Sequence, residues 1–212
     1  MDFDAALFDM DGTLVDSECL YGTALRHSMV SLGVELDEAH ALQLVYGRAW
    51  SSIYDDLLKL FPKLEPDEET LDGMVLNHFH RIQTENPGDF IIEGSRKLLL
   101  ELAEQIPVAV VSGSTRQHLA GFVETLGIGE SLSAVIGSED YEQGKPSPQP
   151  FLTAARQLNV HPNRCVAFED SCAGVLSAKA AGMFCVALKR PGAVEQDVSP
   201  ADHILSDLEG WI

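Results

Sequence analysis

Ala5-Ala6-Leu7-Phe8-Asp9-Met10-Asp11-Gly12-Thr13 is a short apolar run that ends in two acids and a glycine. A run of this length, bounded by a turn signal, fits a strand buried on both faces, as strands of parallel sheets are. Three similar runs follow. Val108-Ala109-Val110-Val111 ends at Ser112-Gly113-Ser114, Cys165-Val166-Ala167-Phe168 ends at Glu169-Asp170, and Phe184-Cys185-Val186-Ala187-Leu188 ends at Lys189-Arg190-Pro191. Ala134-Val135-Ile136 and His203-Ile204-Leu205 are weaker signals of the same kind. Helical spacing lies between them, over 95–106, 115–126 and 171–181, the last two stopped by Gly127 and Gly182. Glycine suits the left-handed residue that ends many helices. Ser147-Pro148 reads as an N-cap followed by proline at the first helical position. Strands alternating with helices predict βαβ units, hence an α/β fold with a parallel sheet and right-handed crossovers.

Residues 17–88 break that alternation. Their apolar spacing is helical throughout, with candidate helices at 18–32, 38–45, 51–60 and 68–82. Asp37 and Asp67 are suitable N-caps for two of these, and Pro62, Pro66 and Pro87 punctuate the second half. Four helices in succession are too many for one crossover. The reading is a small all-helical domain, 17–88, inserted into an α/β core made of 1–16 and 89–212.

Composition limits the partners. The chain has 212 residues, 45% of them apolar and 22% charged, which suits a folded protein of one or two domains and excludes disorder over most of its length. Its net charge of −19 argues against nucleic acid and against an anionic membrane, both of which need a basic face. A small anion remains compatible, because a local site can be positive inside an acidic shell. No apolar run reaches the length of a membrane span, and Met1-Asp2-Phe3-Asp4 does not open a signal peptide. Cys19, Cys165, Cys172 and Cys185 form no C-x-x-C pair. Four reduced thiols and a cytoplasmic location are expected.

Four clusters carry chemistry. In an extended segment Asp9 and Asp11 point the same way, so two carboxylates meet just past a strand's carboxyl end, where open α/β sheets bind ligands. Like charges at one point call for a cation or a shared proton. Glu169-Asp170-Ser171 follows another strand, and carboxylates are what a hard cation such as Mg²⁺ takes. Asp9, Asp170 and the carbonyl of Asp11 would make a minimal site. Ser112-Gly113-Ser114-Thr115 presents N–H groups and hydroxyls before a helix, as a phosphate requires. Lys145-Pro146-Ser147-Pro148 holds a lysine in a stiffened loop. Each cluster alone has an ordinary explanation: a solvated turn, a helix cap, a surface lysine. Together, on one sheet edge, they supply a carboxylate nucleophile, a carboxyl acid/base, a Mg²⁺ site and phosphoryl donors, the inventory of phosphoryl transfer through an aspartyl-phosphate.

At this point the chain resembles the haloacid dehalogenase superfamily, in the branch of β-phosphoglucomutase and the sugar-phosphate phosphatases. Asp9-Met10-Asp11-Gly12-Thr13-Leu14-Val15-Asp16-Ser17 matches the family's first motif, Ser112 the second, Lys145-Pro146-Ser147-Pro148 the third, and Glu169-Asp170-Ser171 with Ala173-Gly174 the fourth. The resemblance implies a Rossmann-like parallel sheet with an inserted all-helical cap. It implies Asp9 as nucleophile and Mg²⁺ ligand, and Asp11 as general acid/base with its carbonyl on the metal. Ser112 and Lys145 would hold the phosphoryl group, with Gly113 beside them. Asp170 would ligate Mg²⁺ directly, and Glu169 directly or through water. True dehalogenases lack the acid at the position of Asp11, which argues for phosphate chemistry. The mutases carry a cap arginine for a distal phosphate. In Gly47-Arg48-Ala49-Trp50-Ser51, Trp50 stands about where that arginine aligns and Arg48 lies two positions away. The family often has an acid after its third motif, where this chain has Gln149.

The expectation is therefore a Mg²⁺-dependent phosphatase, a monomer, acting on small phosphorylated metabolites. A sugar phosphomutase is the alternative. A receiver domain would place its phosphorylated Asp later in the chain and lack the helical insert, and a silent scaffold would not need the full set of acids. Arg48, Trp50, His78 and Arg81 are candidates for substrate contact from the cap. His78 and His80, two apart on a helix, face different ways and carry no motif.

Overall fold

The computed structural model describes residues 3–45, 48, 50–193 and 195–211. Six strands form one sheet: β1 (Ala5–Phe8), β2 (Val108–Val111), β3 (Ala134–Ile136), β4 (Cys165–Glu169), β5 (Phe184–Leu188) and β6 (His203–Leu205). Every pairing is parallel and the order is β3-β2-β1-β4-β5-β6. The parallel sheet read from the apolar runs is thus present, including both weak strands, and its form is the Rossmann-like one that the resemblance implied. The order reverses between β1 and β4, and in open α/β sheets ligands bind at the carboxyl ends beside that reversal.

The eight α-helices among the described residues are α1 (Ser17–Ser31), α2 (Glu38–Val45), α3 (Trp50–Leu60), α4 (Glu68–Glu85), α5 (Glu93–Ala103), α6 (Arg116–Leu126), α7 (Gln149–Gln157) and α8 (Cys172–Ala180). Two compact units result. One holds Met1–Val15 with Ile91–Ile212, and the other holds Asp16–Phe90.

In the sheet unit, strand alternation divides the core. Ala5, Leu7, Ala109, Val111, Cys165 and Ala167 share one buried cluster with Phe151 and Ala154 of α7 and Val175 and Ala178 of α8. The alternate residues stand on the other face. There Phe8 and Phe168 stack with centroids 4.4 Å apart, an arrangement worth about 0.5–1.5 kcal/mol beyond the area it buries. The side chains that fill β1, β2 and β4 are fully buried, so their backbones have little room to shift.

Local signals set the helix ends. Asp67 accepts from the Thr70 N–H at 2.9 Å, Asp37 from the His40 N–H at 2.9 Å, and Gly127 closes α6 with φ +64°. One expectation is corrected. Ser147 is not the N-cap of α7, because Pro148 holds that place and its carbonyl accepts the first helical bond, from Leu152. The helix therefore starts one residue later, and Ser147 belongs to the turn closed by its own N–H on the Gly144 carbonyl.

In the helical unit, α1 packs on α2 and α4, and Leu20, Ala24 and Leu25 of α1 and Leu71, Val75 and Phe79 of α4 are buried. No helix among the described residues is long and apolar enough to cross a membrane.

Candidate active site

Asp9 directly follows β1, and its N–H donates to the Phe168 carbonyl at 2.9 Å. The first motif is thereby tied to β4. The chain then doubles back: Gly12 N–H donates to the Val15 carbonyl at 2.7 Å, and the Leu14 and Val15 N–H groups donate to Met10. Gly12 turns with φ +87°, a conformation costly for other residues. A Cβ there would also lie 2.1 Å from Asp170 Oδ2, so glycine is what lets the two loops meet.

Three carboxylates converge. Asp9, Glu169 and Asp170 each offer an oxygen within 4.8 Å of the others. Glu169 is fully buried at the end of β4. Its Oε2 accepts from the N–H groups of Asp170 and Ser171, each at 3.1 Å, and from the Ser171 hydroxyl at 3.0 Å. Ser171 in turn caps α8 by accepting from Gly174 N–H. A Cβ on Gly174 would fall 1.8 Å from the Glu169 carboxylate, so this glycine makes room for the acid. Thr13 Oγ1 donates to Asp170 Oδ1 at 3.5 Å.

Lys145 enters the same group. Its Nζ donates to Asp9 Oδ1 and Glu169 Oε1, both at 2.5 Å, and to the Val111 carbonyl at 3.0 Å. The ammonium also lies 5.2 Å from the centroid of the Phe151 ring. Burial opposes its charge, but the Asp9 and Glu169 carboxylates outweigh burial and hold its pKa above the ordinary lysine value. Burial likewise pushes the Asp9 carboxyl well above the usual range; Lys145 opposes this, and Glu169, Asp170 and Asp11 add to it. Three acids and one ammonium leave negative charge in excess, which a divalent cation would relieve. The donor set is all oxygen, as Mg²⁺ requires. Its bonds of ~2.1 Å place ligand oxygens roughly 3–4 Å apart, a small contraction from the observed spread.

Asp11 departs from the simple picture of two carboxylates at one point. Its Oδ2 accepts from the Ser112 hydroxyl at 3.1 Å and the Ser114 hydroxyl at 3.5 Å, and it stands apart from the three-acid group. The turn at Gly12 follows it, and β2 supplies its partners. Ser112 is fully buried, and its Oγ also accepts from Ser114 N–H at 3.0 Å. A Cβ on Gly113 would meet nothing within 4 Å, so crowding does not explain that glycine.

Arg48 and Trp50 belong to the helical unit. Arg48 donates to the Ser52 carbonyl and to Asp56 Oδ2, and Trp50 Nε1 donates to the Glu68 carbonyl at 3.3 Å. Gly47 and Ala49, between which Arg48 stands, lie outside the described residues. Arg81 Nη2 pairs with His78 Nδ1 at 2.8 Å, and the His78 ring meets His27 edge-on. The histidines thus form a cluster that the helical spacing of His78 and His80 did not disclose.

Tyr141 was missed as well. Its hydroxyl donates to the Ser112 carbonyl at 2.9 Å. A tyrosine four residues ahead of a lysine carries no signal in a sequence; only the fold brings it to β2.

Comparison with known proteins agrees with this geometry. The family model of haloacid dehalogenase-like hydrolases matches residues 3–182. The chain belongs to this family. The hydrolase is 32% identical over 207 residues to validoxylamine A 7′-phosphate phosphatase of Streptomyces hygroscopicus subsp. limoneus, covering 97% of this chain and 94% of that one. It is 30% identical over 191 residues to hexitol phosphatase B of Escherichia coli (strain K12), covering 89% and 85%. A crystal structure of a family hydrolase from Deinococcus radiodurans R1, with bound phosphate and sodium, superposes with a TM-score of 0.79 at 28% identity, covering 98% and 92%.

Proposed function

We propose that this haloacid dehalogenase-like hydrolase is a Mg²⁺-dependent phosphatase of small, sugar-phosphate-like monoesters, with the helical unit Asp16–Phe90 as its specificity cap. The observation that carries the reading is the convergence of Asp9, Glu169, Asp170 and Lys145 beyond the carboxyl ends of β1 and β4. The named phosphatase relatives support the substrate class.

Asp9 and Asp170 would hold Mg²⁺ through their carboxylates and Asp11 through its backbone carbonyl. Both oxygens of Glu169 are already engaged, one by Lys145 and one by its own turn, which suits a contact through water. The bound ion supplies charge neutralisation between the anionic nucleophile and the anionic phosphate. Asp9 Oδ attacks phosphorus, the P–O bond to the sugar breaks, and the Asp11 carboxylic acid gives its proton to the departing alkoxide. Water then attacks phosphorus, with Asp11 taking a proton from it. The acyl-phosphate bond breaks, freeing inorganic phosphate and regenerating the Asp9 carboxylate. Lys145 and Ser112 hold the equatorial oxygens, where charge is carried in the transition state.

The test is phosphate release over a panel of phosphorylated sugars and polyols, for the parent and Asp9→Asn. Turnover by the parent and none by a folded Asp9→Asn protein is the expected result. An active Asp9→Asn protein would remove Asp9 as nucleophile. A parent inactive on every ester with Mg²⁺ would remove the phosphatase reading.

A further inference from the structure

We infer that Gln149 and Tyr141 are the positioning residues that set Lys145, acting through the loop that carries it; this rests on the phosphatase reading above. Lys145 must place one ammonium against three acceptors on three different strand ends: Asp9, Glu169 and the Val111 carbonyl. It does so from 141–148, a stretch with no regular structure. A displacement of about 1 Å in a reacting group costs on the order of 10²-fold in rate. Something outside the lysine must therefore hold that stretch.

Two side chains do. At its start, the Tyr141 hydroxyl donates to the Ser112 carbonyl at 2.9 Å, one residue from the Val111 carbonyl that Lys145 itself uses. At its end, Gln149 Oε1 accepts two consecutive backbone donors, Glu142 N–H at 3.1 Å and Gln143 N–H at 2.8 Å. Gln149 is the first residue of α7, whose Phe151, Ala154 and Ala155 are locked in the core. The amide oxygen thus transfers the fixed position of a helix to the backbone two residues ahead of Lys145. Ser177 adds a third tie, its hydroxyl donating to the Ser147 carbonyl at 2.5 Å.

Glu142 and Gln143 are exposed. Water can therefore satisfy their N–H groups when Gln149 is removed, and the stability cost is small. Water cannot hold the loop in register. Loss of the acceptor should thus separate activity from stability, which a merely structural role would not do. The acceptor oxygen is shared by an amide and a carboxylate, so glutamate at this position should still serve.

The experiment compares Gln149→Ala, Gln149→Glu and Tyr141→Phe with the parent, with Mg²⁺ present. It measures kcat and KM on p-nitrophenyl phosphate, the affinity for inorganic phosphate by calorimetry, and the melting temperature. For Gln149→Ala the expected result is a kcat lower by tenfold or more and weaker phosphate binding, with KM for the ester within about threefold and melting nearly unchanged. Gln149→Glu should stay within about threefold of the parent in every measure. Tyr141→Phe should lose kcat in the same sense as Gln149→Ala. Parental kcat in Gln149→Ala, an equal loss in Gln149→Glu, or a loss that simply follows the melting temperature overturns the inference. If Gln149→Ala fails to fold, the comparison of Tyr141→Phe with the parent decides. If the parent turns over no ester, the phosphatase reading fails on its own, and phosphate affinity still ranks the variants.

Discussion

Asp11 and Gly174 show how single residues divide the work of this site. Asp11 is anchored by the hydroxyls of Ser112 and Ser114, away from the three-acid group, which suits a carboxyl that gives and takes a proton. Asp11→Asn should slow hydrolysis of a sugar phosphate far more than that of p-nitrophenyl phosphate, because an alkoxide needs a proton to leave and p-nitrophenolate scarcely does. The ratio of the two rates, in mutant and parent, measures this; an unchanged ratio counts against the acid role. Gly174 acts by what it lacks. Gly174→Ala would push a methyl group into the Glu169 carboxylate and displace the acid from Lys145. A destabilisation of about 1–3 kcal/mol is expected for such overpacking, with a large loss of turnover. Gly73→Ala is the contrast. A Cβ there meets nothing, and within α4 alanine should stabilise by roughly 0.5–1 kcal/mol with activity intact. Thermal melts and turnover of the two variants side by side check both statements.

Among the elements, the α1–α4 pair carries the histidine cluster. Burial lowers the pKa of His78, and Arg81 and His27 lower it further; burial, Arg26 and Arg81 do the same to His27. The bond from Arg81 to His78 Nδ1 needs a neutral ring. As pH falls through about 6.5, the ordinary imidazole value, the unfolded chain takes up protons that the folded unit resists. Stability is therefore full above that pH and declines below it. Melting at pH 7.5 and 5.5 should show a smaller drop for His78→Gln than for the parent, and an equal drop would assign the acid sensitivity to other groups. Element boundaries show where sequence patterns reach their limit. Glycine, aspartate and apolar spacing placed α2, α4 and α6 closely. The start of α7 moved, because Ser147 is drawn into a turn by Gly144 and its own carbonyl is taken by Ser177. Neither partner is visible from a Ser-Pro dipeptide.

At the scale of the whole molecule, the net charge is −19, and the three carboxylates that converge at one point fit the proposed divalent cation. Mg²⁺ should support turnover and Ca²⁺ should do so poorly, since Ca²⁺ takes longer bonds and more ligands. Mg²⁺ should also raise the melting temperature in proportion to the logarithm of its concentration above Kd, with EDTA reversing the rise. In Asp170→Asn that gain should shrink. Full activity in excess EDTA, or a melting temperature indifferent to Mg²⁺, speaks against the site.

The parallel sheet and the four clusters of chemistry were legible from residues alone, because buried strands must be apolar and their ends must turn. Asp9, Asp11, Ser112, Lys145, Glu169 and Asp170 each sit where such a strand ends or in a loop beside one. Local pattern carries that much, since periodicity, caps and glycines act over a few residues. It could not say that Asp11 faces Ser112 while Asp9 faces Lys145, for both acids read alike in the chain. Nor could it show that Gly12 and Gly174 are cut to the shape of Asp170 and Glu169, or that Gln149 and Tyr141 hold the lysine loop. Gly174 meets Glu169, and Gln149 meets Gln143, across only 5 and 6 positions through a local turn, whereas Tyr141 and Ser112, Lys145 and Asp9, and Gly12 and Asp170 are 29, 136 and 158 positions apart. Only the strand order, with β1 between β2 and β4, brings the distant pairs within reach.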